Sequence, residues 1–373
     1  MPSSQAISYR LTINGAPAPQ SLIASIQSVQ IEDHSELADL LRLKVTIGVR
    51  PDGSGWAILD DDLFPRLAPI SVQGRIGSSL ETLITAHVIE TSVNFAVQPG
   101  QTLLTVVAMD PSVLMNLEEK VRPWPDMSDS DIAETIFSEH GFTPKVKRTQ
   151  PARPESEQRP MQRGTDIQFL QQLSRRNGCQ CYVETTPQGA IEGHFHPPET
   201  EQRPQGVLTV NMGQDTNVSA FTVRNDMLRP TTVKVKGLEV DSLTDQPVES
   251  LRQEDSALGR GATSNVDRPR VVLLTGSGLS RGGELQTAAQ GVVDRAAWSI
   301  WAEGELNTST YGAVLRAKRP VMVRGVGRGF SGTYHVERVL HILTGDSWIQ
   351  RFTLRRNALG LTGQENFTED QAL

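Results

Sequence analysis

Two cysteines and two histidines carry the densest chemistry in this sequence: Cys179 and Cys181 on one short segment, His194 and His196 on the next. Thiolate sulfur and imidazole nitrogen are the ligands that zinc prefers. The segments Cys179 to Glu184 and Ala190 to His196 flank a turn at Thr185-Thr186-Pro187-Gln188-Gly189, so they read as a hairpin. If that turn centres on Pro187-Gln188, Cys181 opposes His194, Cys179 opposes His196, and all four point to one face. Four ligands on a flat sheet face converge poorly on a tetrahedron, and zinc sites favour C-x2-C spacing. The set therefore reads as a small cross-strand patch, with no metal and no cofactor expected. A disulfide between the cysteines is disfavoured too. Same-face neighbours on a strand sit roughly 6.5–7 Å apart, the long end of disulfide geometry.

Other stretches are weaker as chemistry. Gly276-Ser277-Gly278-Leu279-Ser280-Arg281-Gly282 lies between a strand and a helix, the right context for a phosphate cradle. Its spacing is not that of a dinucleotide fingerprint, and no Gly-Lys-Ser/Thr follows, so it reads as a connector. Gly325-Val-Gly327-Arg-Gly329-Phe-Ser-Gly332 joins two strands and reads as a hairpin turn. No GxSxG elbow and no HExxH occur. Glu118, Glu119, Asp129, Asp131 and Glu134 are carboxylates near a helix start, where acids suit the helix dipole. A catalytic pair, as in a cell-wall hydrolase, would need two of them to converge in a cleft. No enzymatic activity is expected. A net charge of −7 and a pI near 5.6 argue against non-specific nucleic-acid binding. Lys145, Lys147, Arg148 and Arg153 form the best basic cluster and read as a solvated loop.

The elements that must position these residues are mostly strands. Leu41 to Ile47, Pro69 to Gly74, Ile84 to Val93 and Leu103 to Met109 alternate or run apolar, and turn residues such as Pro51-Asp52-Gly53 separate them. A helix is predicted over Ser130 to Phe137, closed by Gly141. A second starts at Thr165 with Gln168 three residues on, a capping box, and ends at Gly178. A third is predicted from about Glu284 to Trp301. Strands are also predicted over Val207 to Val210, Ser219 to Val223, Thr231 to Lys236 and Val271 to Leu274, and from after the third helix to about Arg356. Met1 to Arg10 lacks the basic start and apolar run of a signal peptide, and no segment reaches the 18 or so apolar residues of a membrane span. Folding in the cytoplasm without membrane insertion is expected.

A weak internal repeat organises the chain. Pro69-Ile-Ser-Val-Gln-Gly74 resembles Pro320-Val-Met-Val-Arg-Gly325, and His87-Val88 finds a counterpart in His335-Val336. The expected class is α+β, mainly β: two tube-like antiparallel β-barrels with small α/β insert domains. The first barrel is assigned to residues 1–110. An α/β insert with two helices and a hairpin takes 111–206. The second barrel takes 207–237 and 308–358, an insert with one helix 238–307, and a C-terminal tail 359–373. Three copies of such a chain would present six barrels around an axis, so a trimer could meet a sixfold ring.

Several segments in order resemble one family. Gln162 to Glu184 is similar to the hub signature of phage late control D proteins: an acidic helix start, Phe169-Leu170, Leu173, Gly178, then an aromatic strand. Phe195-His-Pro-Pro198, Ser128 to Phe142 and Gly329 to Val336 resemble neighbouring parts of that family, which includes contractile-tail baseplate hubs and the hub portion of VgrG-like spike proteins. The resemblance implies a homotrimeric adaptor between the hexameric tail tube, or a tube initiator, and a trimeric spike. It further implies contacts with baseplate wedge proteins and the tape measure protein, in a virion tail or injection particle. No spike repeat follows residue 357, so the spike is expected as a separate chain. The alternative of another class is a baseplate-associated cell-wall hydrolase. Cys179 and Cys181 stand where the family more usually has aromatics.

Overall fold

The computed structural model describes residues 7–98, 100–149, 160–236, 256–275, 282–345 and 347–367. The molecule is mainly β, with large antiparallel sheets and few helices. Its first part contains β1 (Ile7–Ile13), β2 (Ile26–His34), β3 (Leu40–Thr46), β4 (Pro69–Ile76), β5 (Ser79–Asn94) and β6 (Leu103–Met109). Period-two patterning decides their faces. In β3, Leu41, Leu43 and Val45 are fully buried while Arg42 between them is exposed. In space the strands run β2-β3-β6-β5-β4-β1.

The chain then leaves the sheet for α1 (Asp129–Glu139), β7 (Thr143–Val146), α2 (Asp166–Arg176), β8 (Gln180–Thr185) and β9 (Ile191–His196). Both helices start where the sequence places them. Ser128 with Asp131 and Thr165 with Gln168 form capping boxes, and Gly141 and Gly178 follow the C-termini with φ of 74° and 64°. Phe137, Phe169, Leu170, Leu173 and Phe195 make a separate core there.

The rest comprises β10 (Val207–Thr209), β11 (Ala220–Asn225), β12 (Thr231–Lys236), β13 (Arg270–Thr275), α3 (Gly282–Ala297), β14 (Ile300–Asn307), β15 (Pro320–Arg324), β16 (Gly332–Thr344) and β17 (Ser347–Arg356). Two strands pair differently from the sequence reading. Thr231–Lys236, assigned to the second barrel, instead pairs in parallel with β13, and α3 packs on that pair through Ala289 and Val293. Ile300–Asn307, assigned to the insert, pairs with both β11 and β17. The predicted third helix ran to Trp301, but α3 ends at Ala297. Ile300 fits a helical i, i+4 spacing and a strand alternation equally, and burial of Ile300 and Ala302 in β14 decides for the strand.

Strand order reveals a duplication. The later set runs β11-β14-β17-β16-β15-β10, matching β2-β3-β6-β5-β4-β1 place for place. The match extends to register. Pro69 pairs with His87, and Pro320 pairs with His335. Leu67 N–H donates to Val88 O while Val88 N–H donates to Ala68 O; Lys318, Val336 and Arg319 repeat both bonds. Leu67 and Lys318 share a left-handed backbone, φ 61° and 70°. A bulge follows Val88 in β5 and Val336 in β16. The sixth strands differ, since β1 runs antiparallel to β4 and β10 parallel to β15.

The two units are joined edge to edge. β2 pairs with β16 from His34↔Arg338 to Val29↔Leu343, which makes one 13-stranded sheet. The β16–β17 hairpin serves both cores. Tyr334, Val336 and Val339 lie in the second, Leu343 and Trp348 in the first. Trp348 reaches its place because Gly74 has no side chain: a Cβ there would lie 2.3 Å from the indole.

Candidate functional site

The junction of the two units is where the molecule concentrates buried charge. The segment leading into β15 carries Arg316, Lys318 and Arg319, and the left-handed Lys318 turns its side chain inward. Its ammonium donates to Asp33 Oδ1 at 2.6 Å and to both oxygens of Asp39 at 3.0 Å. Both aspartates belong to the first unit, Asp33 on β2 and Asp39 just before β3. Ala317 N–H donates to Asp33 Oδ2 at 2.9 Å, and Asp39 N–H to Asp110 Oδ2 at 2.6 Å. Arg316 donates to the carbonyls of Thr82 and Leu83 at 2.6 and 3.2 Å. Arg319 donates to Glu184 on β8 at 3.0 Å. One short segment thus ties together the first unit, the second unit and the α/β insert.

The electrostatics follow from burial and proximity. Burial pushes the Asp33 carboxyl up, but the Lys318 ammonium bonded to it outweighs this and holds it at about 2. Burial would lower Lys318, yet Asp33, Asp39 and Glu184 around it raise it instead. Asp39 is pushed well up, by burial first and then by its acidic neighbours Asp33 and Asp110. Breaking one partner out of such a set leaves a buried charge uncompensated.

The predicted hairpin borders this junction, but with its register displaced by one residue. Tyr182 opposes His194, Cys181 opposes Phe195, and Gln180 opposes His196. The turn spans Thr186 to Ala190 and centres on Gln188, with Thr186 N–H donating to Ala190 O at 2.8 Å. A slip of one residue moves every side chain of one strand to the other face. His194 and His196 therefore part from Cys181. His194 stacks on Tyr182 at 4.5 Å, His194 Nδ1 lies 3.0 Å from His196 Nε2, and the Lys318 ammonium sits 5.2 Å from the Tyr182 ring. Burial lowers His194 to about 3. Cys181 packs in the insert core, Cys179 lines a cleft of about 480 Å³, and both are free thiols pushed up to about 12 by burial. Among the described residues no three His, Cys, Asp or Glu side chains are grouped to hold a metal ion.

The other sequence candidates are dispersed. Asp129 is bound by Arg176 and Asn177, and Asp131 closes a helix cap. Lys145 pairs with Glu192 at 3.3 Å. Arg153 and residues 276–281 lie outside the described residues. The Gly325–Gly332 turn carries a short helix, Gly327–Phe330, before β16. No helix among the described residues is long and apolar enough to cross a membrane. The Lys318 cluster was not found from sequence. Its members are 285 residues apart at the extreme, and the only local hint is three basic residues just ahead of a strand.

The family model described as the Alg8 N-terminal domain matches residues 3–345. This chain belongs to that family. No curated protein is a match. Among solved structures, this family member is similar to the 43 kDa tail protein of prophage MuSo2 from Shewanella oneidensis. The TM-score is 0.67 at 12% identity, covering 95% of this chain and 100% of that one. A tail protein from Neisseria meningitidis MC58 gives 0.66 at 12% identity over 94% and 97%. An E. coli component of the type VI secretion system, described as structurally similar to the T4 tail proteins gp27 and gp5, gives 0.57 at 12% identity over 93% and 76%. At this identity the likeness is one of fold. The structural neighbours are phage tail proteins and secretion-system components.

Proposed function

We propose that this Alg8 N-terminal domain protein is the structural hub of a contractile phage tail or phage-like injection device. It is a homotrimer that joins the sixfold tail tube to a separate threefold spike and lines the central channel. The observation that supports this reading most is the duplicated strand unit, matched in order, register and bulge position. Three chains present six like units around one axis, a surface suited to a hexameric tube or tube initiator. Among the described residues the α/β insert around residues 111–206 has no second copy, so it follows the true threefold and suits a trimeric spike. Baseplate wedge proteins and the tape measure protein are the further partners this position entails. The role is mechanical, located in the tail baseplate or injection particle, and uses no catalysis.

Native mass measurement of the purified chain, alone and with its spike partner, tests the reading. A trimer is expected. A chain that stays monomeric in both conditions overturns it, and hydrolysis of purified cell wall by the chain would replace it with the enzymatic alternative.

A further inference from the structure

We propose that the open edge of β5 pairs with the open edge of β11 in a second copy of this chain, repeating between molecules the joint that β16 and β2 make within one. The proposal deepens the hub reading and rests on it for the number of copies. The two units are equivalent strand by strand, with β5 matching β16 and β11 matching β2. Within the chain, the second half of β16 pairs with β2. The corresponding second half of β5, from Ile89 to Asn94, pairs only with β6, and β11 pairs only with β14, among the described residues. Both edges are left with unpaired backbone donors and acceptors, which sheet proteins rarely leave uncovered.

Matching the registers specifies the joint residue by residue. Because His87 and His335 occupy the same place, Glu90 corresponds to Arg338, Ser92 to Leu340, Val93 to His341 and Phe95 to Leu343. On the other side Phe221 corresponds to Val29, Val223 to Ile31 and Arg224 to Glu32. The internal pairs Leu340↔Glu32, His341↔Ile31 and Leu343↔Val29 thus translate into Ser92 opposite Arg224, Val93 opposite Val223, and Phe95 opposite Phe221.

Two observations independent of strand order favour this occupant. The internal joint carries a diagonal ion pair, Arg338 Nε to Glu32 Oε1 at 2.5 Å. The residues in those two places at the open edges are Glu90 and Arg224. The signs are exchanged and the complementarity is kept. The joint is also apolar at one end, where Phe95, just past β5, is 60% exposed and would face Phe221. Such a joint is heterologous, since each copy uses one edge to give and another to receive, and it repeats until the assembly closes.

A charge exchange on the full chain tests the joint. Glu90→Arg and Arg224→Glu each place like charges across it and are expected to weaken association roughly five- to tenfold by sedimentation. The double variant restores association to within about twofold of wild type, as coupled neighbours do. Both side chains are exposed, so folding is checked by thermal melting. A second route avoids charge altogether. Val93→Cys with Val223→Cys sets thiols directly opposite, within disulfide reach, and oxidation yields covalently linked oligomers that wild type does not form. If trimers persist with neither the charge effect nor the cross-link, the joint is overturned and the hub reading stands. A chain that never assembles, with or without the spike, overturns both.

Discussion

The two strand units share a backbone plan and differ in what they do with it at one position. In the first, the left-handed residue ahead of the Pro-initiated strand is Leu67, half-buried and apolar. In the second it is Lys318, fully buried and held by two aspartates of the first unit. The same backbone device is an ordinary turn in one copy and an intramolecular clasp in the other. The histidines that pair with the two prolines diverge likewise. His87 is half-buried with Nδ1 3.1 Å from Leu67 O, whereas both ring nitrogens of His335 are buried without a partner. Duplication supplied the frame, and the second copy became specialised toward holding the first.

The largest effect comes from returning the clasp to the first unit's residue. Lys318→Leu leaves Asp33 and Asp39 buried without their cation, and is expected to cost about 3–5 kcal/mol of unfolding free energy. Adding Asp33→Asn and Asp39→Asn should return a large part of that loss, because the penalty belongs to uncompensated charge. Denaturant titration reads both. If Lys318→Leu is as stable as wild type, the buried ion set does not hold the units together.

The repeated glycines that end the two matching motifs sharpen the comparison further. Gly325 has φ 85°, and a Cβ on it would lie 1.7 Å from the carbonyl oxygen of Val210. Gly74 has an ordinary φ, and its Cβ would meet the side-chain ring of Trp348, not backbone. Gly325→Ala should therefore cost about 2–3 kcal/mol through backbone displacement. Gly74→Ala should cost about 1–2 kcal/mol through indole repacking. Equal losses in thermal melts of the two variants would refute the distinction.

These contrasts mark how far the sequence could be read. The capping box at Thr165 and the glycines Gly141 and Gly178 after the first two helices were legible because their signals are local. The repeat was legible from one hexapeptide, since Pro, alternation and Gly survive in both copies. The hairpin register was not: Thr186-Pro187-Gln188-Gly189-Ala190 accommodates two turn centres a residue apart, and side-chain types do not choose between them. β14 was misassigned because Ile300 satisfies two periodicities. The clasp and the joint depend on contacts between residues 29–39 and 316–343, and no local pattern encodes distant pairing.

The unpartnered histidine predicts a pH dependence specific to the second unit. Burial, aided by Arg355, lowers His335 to about 4, below the ordinary unfolded value near 6.5. The native state then binds fewer protons than the unfolded chain between those values. This contribution is fully present above about pH 6.5 and is lost as pH falls toward 4, at about 1.4 kcal/mol per pH unit. His335→Gln removes the titrating group, so the variant should lose about 1 kcal/mol less than wild type between pH 6.5 and 5.5. Parallel stability curves for the two proteins would show that His335 takes up its proton in the native state as readily as in the unfolded chain.

The smallest effect expected is at the internal joint itself. Arg338 and Glu32 are partly exposed, at 40% and 31% side-chain accessibility, so solvent screens their attraction. Arg338→Ala should cost only about 0.2–1 kcal/mol, and less in high salt. The joint inside one chain does not need the pair for affinity, because the covalent chain already holds its edges together. Between two copies the edges must find each other from solution, and there a complementary pair aids encounter and register. The exchanged pair Glu90 and Arg224 should therefore matter more to assembly than Arg338 and Glu32 matter to folding. Measuring Arg338→Ala by denaturant titration beside Arg224→Ala by sedimentation makes that difference a number, and a larger loss at Arg338 would reverse the argument.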